Sequence, residues 1–145
     1  MRIAVGADHA GRGLKDHLAA RLSEAGHEVD DLGTYSPESC DYPDYGRAVG
    51  EAVARGKAEM GLIVCGTGIG ISIAANRIAG VRAARCNGEY DARFARLHND
   101  ANVLALGARV IGEGVAEGIV DVFFSTEFEG GRHVRRVRKI EGETA

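Results

Sequence analysis

The feature that most constrains this chain is a stretch without a charged side chain, Met60 to Asn76 (M-G-L-I-V-C-G-T-G-I-G-I-S-I-A-A-N). Its apolar run Leu62-Ile63-Val64 is what a strand buried on both faces needs. Cys65 ends that run, and Gly66, Gly68 and Gly70 follow at alternate positions. Ile71-Ser72-Ile73-Ala74-Ala75-Asn76 then reads as the first turns of a buried helix. A strand, a glycine turn and a helix start leave backbone N–H groups unpaired at a positive dipole end, a nest that suits an anion. The Cys65 thiol at the mouth and the Thr67 hydroxyl two residues on set this loop apart from a plain phosphate cradle.

The same stretch is the only membrane candidate. It falls short of the roughly 20 apolar residues a span needs and is cut by four glycines. With 145 residues, 45% hydrophobic and 27% charged, one soluble domain with a substantial core is the expectation. A net charge of −3 argues against a generally basic nucleic-acid binder. The three cysteines, Cys40, Cys65 and Cys86, form no C-x-x-C pair, so neither a disulfide framework nor a thiolate zinc site is expected. A reducing, cytoplasmic compartment fits. The N-terminus lacks the apolar core of a signal peptide.

Along the chain, residues 2–7 read as a first strand ending at Asp8-His9. Leu14, Leu18, Leu22 and Ala25 share a helical face closed by Gly26. Residues 27–32 read as a more polar strand nearer a sheet edge. Gly33 to Asp44 holds both prolines and reads as a long functional loop, with Pro43 suited to the first position of the next helix. Val49, Ala52 and Val53 face inward in that helix, and Gly56 ends it. Residues 81–86 give a short fourth strand. Tyr90, Phe94 and Leu97 mark a helix running into His98-Asn99-Asp100, residues 102–106 a fifth strand, and Val115, Ile119 and Val122 a core helix over 113–124.

Strands alternating with helices imply a three-layer α/β/α, Rossmann-like domain with a five-stranded parallel sheet, spanning 1–145. Ligands of such sheets bind outside the carboxyl ends of the strands. Asp8, His9, Cys65, Thr67 and Arg109 fall there. His98 and Asn99 end a helix instead, so they approach from another side or from another subunit.

The tail from Arg132 to Lys139 reads R-H-V-R-R-V-R-K, with Val134, Val137 and Ile140 spaced for one stripe of a short helix at about 131–141. Arg132 and Arg136, four apart, point the same way. A solvated basic face ranks first for such a run. A clamp for a phosphate dianion is a close second, because two guanidinium forks match its oxygens. A nucleic-acid patch is a weaker third, given the acidic remainder and aromatic-poor tail.

Cys65 alone is more often a structural thiol, but its place against a helix-start nest favours a thiolate. G-T-G-I-G is weak evidence for a nucleotide. It follows the third strand, and Ile71 takes the last glycine position of G-x-G-x-x-G. Asp8-His9 reads equally as a helix cap, and His98 as a C-terminal helix residue complementing the dipole. No metal-ligand spacing stands out, so no metal site is expected.

V-G-A-D-H-A-G at 5–11, D-Y-P-D-Y at 41–45, C-G-T-G-I-G-I-S-I-A-A-N at 65–76, R-x-H-N-D-A-N-V-L-A-L-G-A-R at 96–109 and E-G-G-R-H-x-x-R at 129–136 resemble the ribose/galactose sugar-phosphate isomerase family, in its ribose-5-phosphate isomerase B type. The resemblance covers nearly the whole chain, in order. It implies a cofactor-free aldose–ketose isomerase interconverting ribose 5-phosphate and ribulose 5-phosphate. Cys65 is then the base moving a proton between C1 and C2, and His98 opens the furanose ring. Thr67 and Asp8 handle hydroxyl protons, and Gly66, Gly68, Ile69 and Gly70 offer N–H groups to the enediolate. His9, Arg109, Arg132 and Arg136 bind phosphate, while Tyr42 and Asn99 position the sugar.

Relatives without the thiol carry a glutamate base at the position of Ile71, so the chain resembles the cysteine-type branch. The resemblance further implies strand order 2-1-3-5-4 and a homodimer or tetramer. Its active sites lie at the subunit interface, with the tail helix on the partner. Other sugar phosphates (erythrulose 4-phosphate, allose 6-phosphate, galactose 6-phosphate) are the runner-up substrates. A non-catalytic sugar-phosphate sensor is the alternative from another class, and a sensor needs neither Cys65 nor His98.

Overall fold

The strands that carry the apolar runs hydrogen-bond into one parallel sheet, with order β2-β1-β3-β5-β4. The computed structural model describes residues 1–144. Strands β1 (Arg2–Ala7), β2 (Glu28–Asp31), β3 (Met60–Cys65), β4 (Ala83–Arg85) and β5 (Val103–Gly107) alternate with helices α1 (Arg12–Glu24), α2 (Tyr42–Ala54), α3 (Ile69–Asn76), α4 (Glu89–Asn99), α5 (Glu113–Ser125) and α6 (Arg132–Ile140). The order and the edge position of the polar β2 agree with the sequence reading. Both edge strands are shorter than expected, because only the residues facing β1 or β5 find ladder partners.

Side-chain alternation along the central strands divides the core in two. Ile3, Val5, Leu62, Val64, Leu104 and Leu106 face α1, α4 and α5, where Leu18, Leu22, Ile119 and Phe123 meet them. Ala4, Ile63, Cys65, Val103 and Ala105 face α2 and α3, against Val49, Ala52, Ile71 and Ala75. Each fully buried Leu, Ile or Phe contributes about 1.5–3 kcal/mol from apolar area removed from water. The catalytic candidate Cys65 therefore projects toward the α2–α3 layer from the end of the most buried part of the sheet.

Three details differ from expectation. The loop after β2 is shorter, since α2 already begins at Tyr42, with Pro43 in its first turn. Helix α4 buries Ala92, Ala95 and Arg96. Tyr90 stays 74% exposed, so the Tyr90-Phe94 stripe points away from the core. Val115 is exposed, and α5 buries Ala116, Ile119, Val120, Phe123 and Phe124 instead. In α4, the small Ala92 and Ala95 let the backbone approach the sheet and push Tyr90 to the flank.

One buried charge braces the ligand edge. Lys15 of α1 is fully buried and donates to both oxygens of Asp31 at 2.8 Å, with Asp16 at 2.9 Å. Burial pushes its pKa down, but hydrogen bonds and charge from Asp31 and Asp16 outweigh that and hold it above the ordinary lysine value. Asp31 Oδ1 also accepts from the Gly33 amide, fixing the turn into residues 33–41. Among the described residues, no helix is long and apolar enough to cross a membrane.

Candidate active site

Register brings the carboxyl ends of β1, β3 and β5 level, with Ala7 beside Val64 and Cys65 beside Gly107. The Asp8 amide donates to the Val64 carbonyl, so the Asp8-His9 turn lies against the end of β3. Asp8 is buried, and its Oδ1 accepts from the Gly11 amide at 3.0 Å. The Gly11 position is closed to any side chain, because a Cβ would collide with the Val64 carbonyl. His9 Nδ1 accepts from the Cys40 amide at 3.1 Å. That contact fixes the neutral tautomer with Nε2–H free to donate.

Cys65 is 4% exposed, and its Sγ accepts from the Gly68 amide at 3.1 Å. Gly68 caps α3 in the left-handed region, φ 76°, and a Cβ there would lie 2.8 Å from the Leu106 backbone. Only glycine fits that approach of loop to β5. Thr67 is exposed. Its hydroxyl accepts from the Ile69 amide at 3.2 Å, and its carbonyl accepts from Arg85 Nε at 2.7 Å. The Arg109 amide donates to the Gly66 carbonyl at 3.0 Å, and its side chain lies over Gly66. The Tyr42 ring covers Gly70 so closely that a Cβ there would come within 2.6 Å of it.

Asp8, His9, Tyr42, Cys65 through Gly70 and Arg109 thus share one edge. Among the described residues, none of the contacts of His98, Asn99, Arg132 or Arg136 reaches that loop. These four lie around the α4–α6 corner. His98 stacks on His133 with ring centroids 4.2 Å apart and planes 15° from parallel, and Phe94 meets its edge at 4.9 Å. Arg82 holds the corner by donating to the Asn99 and Asp100 carbonyls and pairing with Glu141. Arg132 and Arg136 are exposed, and the Val134-Val137-Ile140 stripe leaves Ile140 59% exposed.

Two residues at this corner were not singled out from the sequence. Glu129 Oε2 lies 3.3 Å from His133 Nε2 and 3.7 Å from His98 Nε2. Their four-residue spacing was the available signal. Burial, chiefly, with the nearby charge of His98, Arg132 and Arg136, holds the His133 pKa below its ordinary value against the opposing pull of Glu129. Desolvation, helped by Asp91, pushes the other buried thiol, Cys86, up to about 12, so it stays a neutral core thiol.

A Rossmann-like sheet whose ligand edge carries a buried thiol against an amide nest, beside a buried carboxylate, has the make-up of an enzyme that moves protons next to a developing oxyanion. The sequence profile described as Ribose/Galactose Isomerase matches residues 3–140. The chain is 51% identical to ribose-5-phosphate isomerase B of Escherichia coli K12 over 96% of its own length and 93% of the relative's. It superposes on Clostridium thermocellum ribose-5-phosphate isomerase B with TM-score 0.96 and 53% identity, covering 97% and 95% of the two chains. On the Thermotoga maritima ribose 5-phosphate isomerase the TM-score is 0.95 and the identity 51%, covering 98% of each. The chain belongs to the ribose/galactose isomerase family. It is a sugar-phosphate isomerase.

Proposed function

We propose that the chain interconverts ribose 5-phosphate and ribulose 5-phosphate through an enediolate, with Cys65 as the base. The observation that carries this reading is the Cys65 sulfur, buried at the end of β3 with the Gly68 amide aimed at it across 3.1 Å. Sγ, as thiolate, removes the proton from C2 of the open-chain aldose and returns it to C1. The electron pair left on carbon moves onto the C1 oxygen, and amides of the Gly66–Gly70 loop other than those of Gly68 and Ile69, which already bond the Cys65 sulfur and the Thr67 hydroxyl, stabilise that oxyanion where water is excluded. Asp8 and Thr67 pass the proton between the two oxygens.

Ring opening precedes this step. His98 of a second copy gives a proton to the ring oxygen as the C1–O bond breaks, and Asp8 takes the proton that the C1 hydroxyl loses. His9 Nε2–H and Arg109 hold phosphate from the same chain, and Arg132 and Arg136 reach it from the partner. Tyr42 and the partner's Asn99 orient the sugar hydroxyls. The exposed Ile69 (48%), Ile73 (60%) and Ile140 (59%) support a homodimer or a tetramer, with α6 packed on the neighbour. The whole chain acts as one domain in a reducing cytoplasm, where its three unpaired thiols stay reduced.

Ile71 supports the cysteine-type assignment. It is fully buried, and a Cβ at Gly46 would come within 2.9 Å of its side chain. A carboxylate at that position would need a different α2–α3 contact. The direct test is kcat/KM on four-, five- and six-carbon sugar phosphates side by side. The five-carbon substrate is expected to be preferred; a four- or six-carbon preference transfers the assignment to that sugar, and no turnover on any returns the site to a sensor.

A further inference from the structure

The E-G-G-R-H turn does more than carry Arg132. The Glu129 amide donates to the Leu97 carbonyl at 3.1 Å, tying the segment to the end of α4. Gly130 and Gly131 then turn through left-handed conformations, φ 71° and 58°. That path delivers Glu129 and His133 to the exposed flank of His98. One donor atom from each of His98, Glu129 and His133 lies within 4.8 Å of the other two. His133 Nε2 is buried and has no hydrogen-bond partner, which is a costly state for a ring nitrogen.

From these observations we propose that His98, Glu129 and His133 form a binding site for a divalent transition cation of the zinc type, and that filling it switches the enzyme off reversibly. Two imidazoles and a carboxylate are a donor set that zinc takes with an open fourth position. A tetrahedron with bonds of about 2.0–2.1 Å has edges of about 3.3 Å. The oxygen-to-nitrogen separations of 3.3 and 3.7 Å approach that edge. The stacked rings now send their lone pairs side by side, so binding requires one ring to tilt. His133 is held by burial, whereas the His98 side chain is 37% exposed and is the ring that turns.

A second cluster, His17 with Glu113 and Glu117, lacks this character. Its imidazole already makes a 2.7 Å hydrogen bond to Glu117 on an open surface. At the His98 site the cation occupies Nε2, so that nitrogen can no longer carry a proton to the ring oxygen. The metal is therefore an inhibitor and not a cofactor. That consequence rests on the isomerase reading; the binding does not.

The test is calorimetric titration of Zn2+ into full-length protein stripped with EDTA, alongside activity. One Zn2+ per chain is expected, with E129Q and H133Q each weakening binding at least about tenfold, the cost even of losing a ligand's supporting partner. Glu129 is half exposed, so E129Q keeps the fold if H133Q does not. C65S and H17Q should bind as the unaltered chain does. Isomerisation of ribose 5-phosphate should fall as the site fills and return with EDTA. The absence of saturable binding, binding that survives E129Q, or binding lost in C65S or H17Q overturns the site. Full turnover with the site filled overturns the inhibition. A chain that binds Zn2+ in this pattern but turns over no sugar phosphate refutes the isomerase reading and leaves the site standing.

Discussion

The Gly68 amide points at the Cys65 sulfur from 3.1 Å, and it does so because Gly68 alone in its loop adopts a left-handed backbone against β5. A side chain at residue 68 meets both a positive φ and the Leu106 backbone. G68A is therefore expected to destabilise the fold by about 1 kcal/mol or more and to lower kcat, because the donor moves with the strained backbone. Urea unfolding and steady-state kinetics check it. Unchanged kcat would mean that the loop tolerates the shift and that this amide is dispensable.

Gly70 tests a different contact. An alanine there displaces the Tyr42 ring, which is the free end of a side chain at the surface. Stability should change little, while KM for the sugar phosphate rises several-fold. A KM equal to that of the unaltered enzyme would remove Tyr42 from the binding surface.

R136A should raise KM by about 10- to 100-fold and leave kcat nearly unchanged, since a phosphate held equally in ground and transition states contributes uniform binding. An unchanged KM would return the tail to a solvated basic face.

Lys15 makes the pH prediction. Its folded pKa is raised above the ordinary 10.5, so its contribution is fully present below that value and is lost as pH rises through the folded pKa. K15M leaves Asp31 unpaired and should cost about 1–3 kcal/mol at neutral pH. Urea unfolding from pH 8 to 11 should show a smaller alkaline loss in K15M than in the unaltered chain. The variant should also raise KM, because the turn at Gly33 leads to the Cys40 amide that fixes His9.

What was legible in the sequence followed local chemistry. The uncharged run at 60–76 announced a doubly buried strand, a glycine turn and a helix start, and those are β3, its loop and α3. Strand order came from family resemblance, because nothing local tells β3 to sit between β1 and β5. In helix α4 the apolar spacing marks the wrong inner face. Tyr90 and Phe94 have core-like spacing, yet Ala92 and Ala95 give the closer approach to the sheet. Lys15 was invisible as a core residue, since its partner Asp31 arrives from another element. The His98-Glu129-His133 cluster needed the turn at Gly130-Gly131 to bring α4 and α6 together.

The central claim is that the Cys65 sulfur carries the proton between carbons. Turnover of ribose 5-phosphate by C65A, with binding of a non-reacting phosphate analogue as the control for folding, tests it most directly. Loss of the general base should lower kcat by about 10²–10⁴-fold or more while the analogue binds nearly as before. A kcat within a few-fold of the unaltered enzyme would contradict the account and pass the base to another residue.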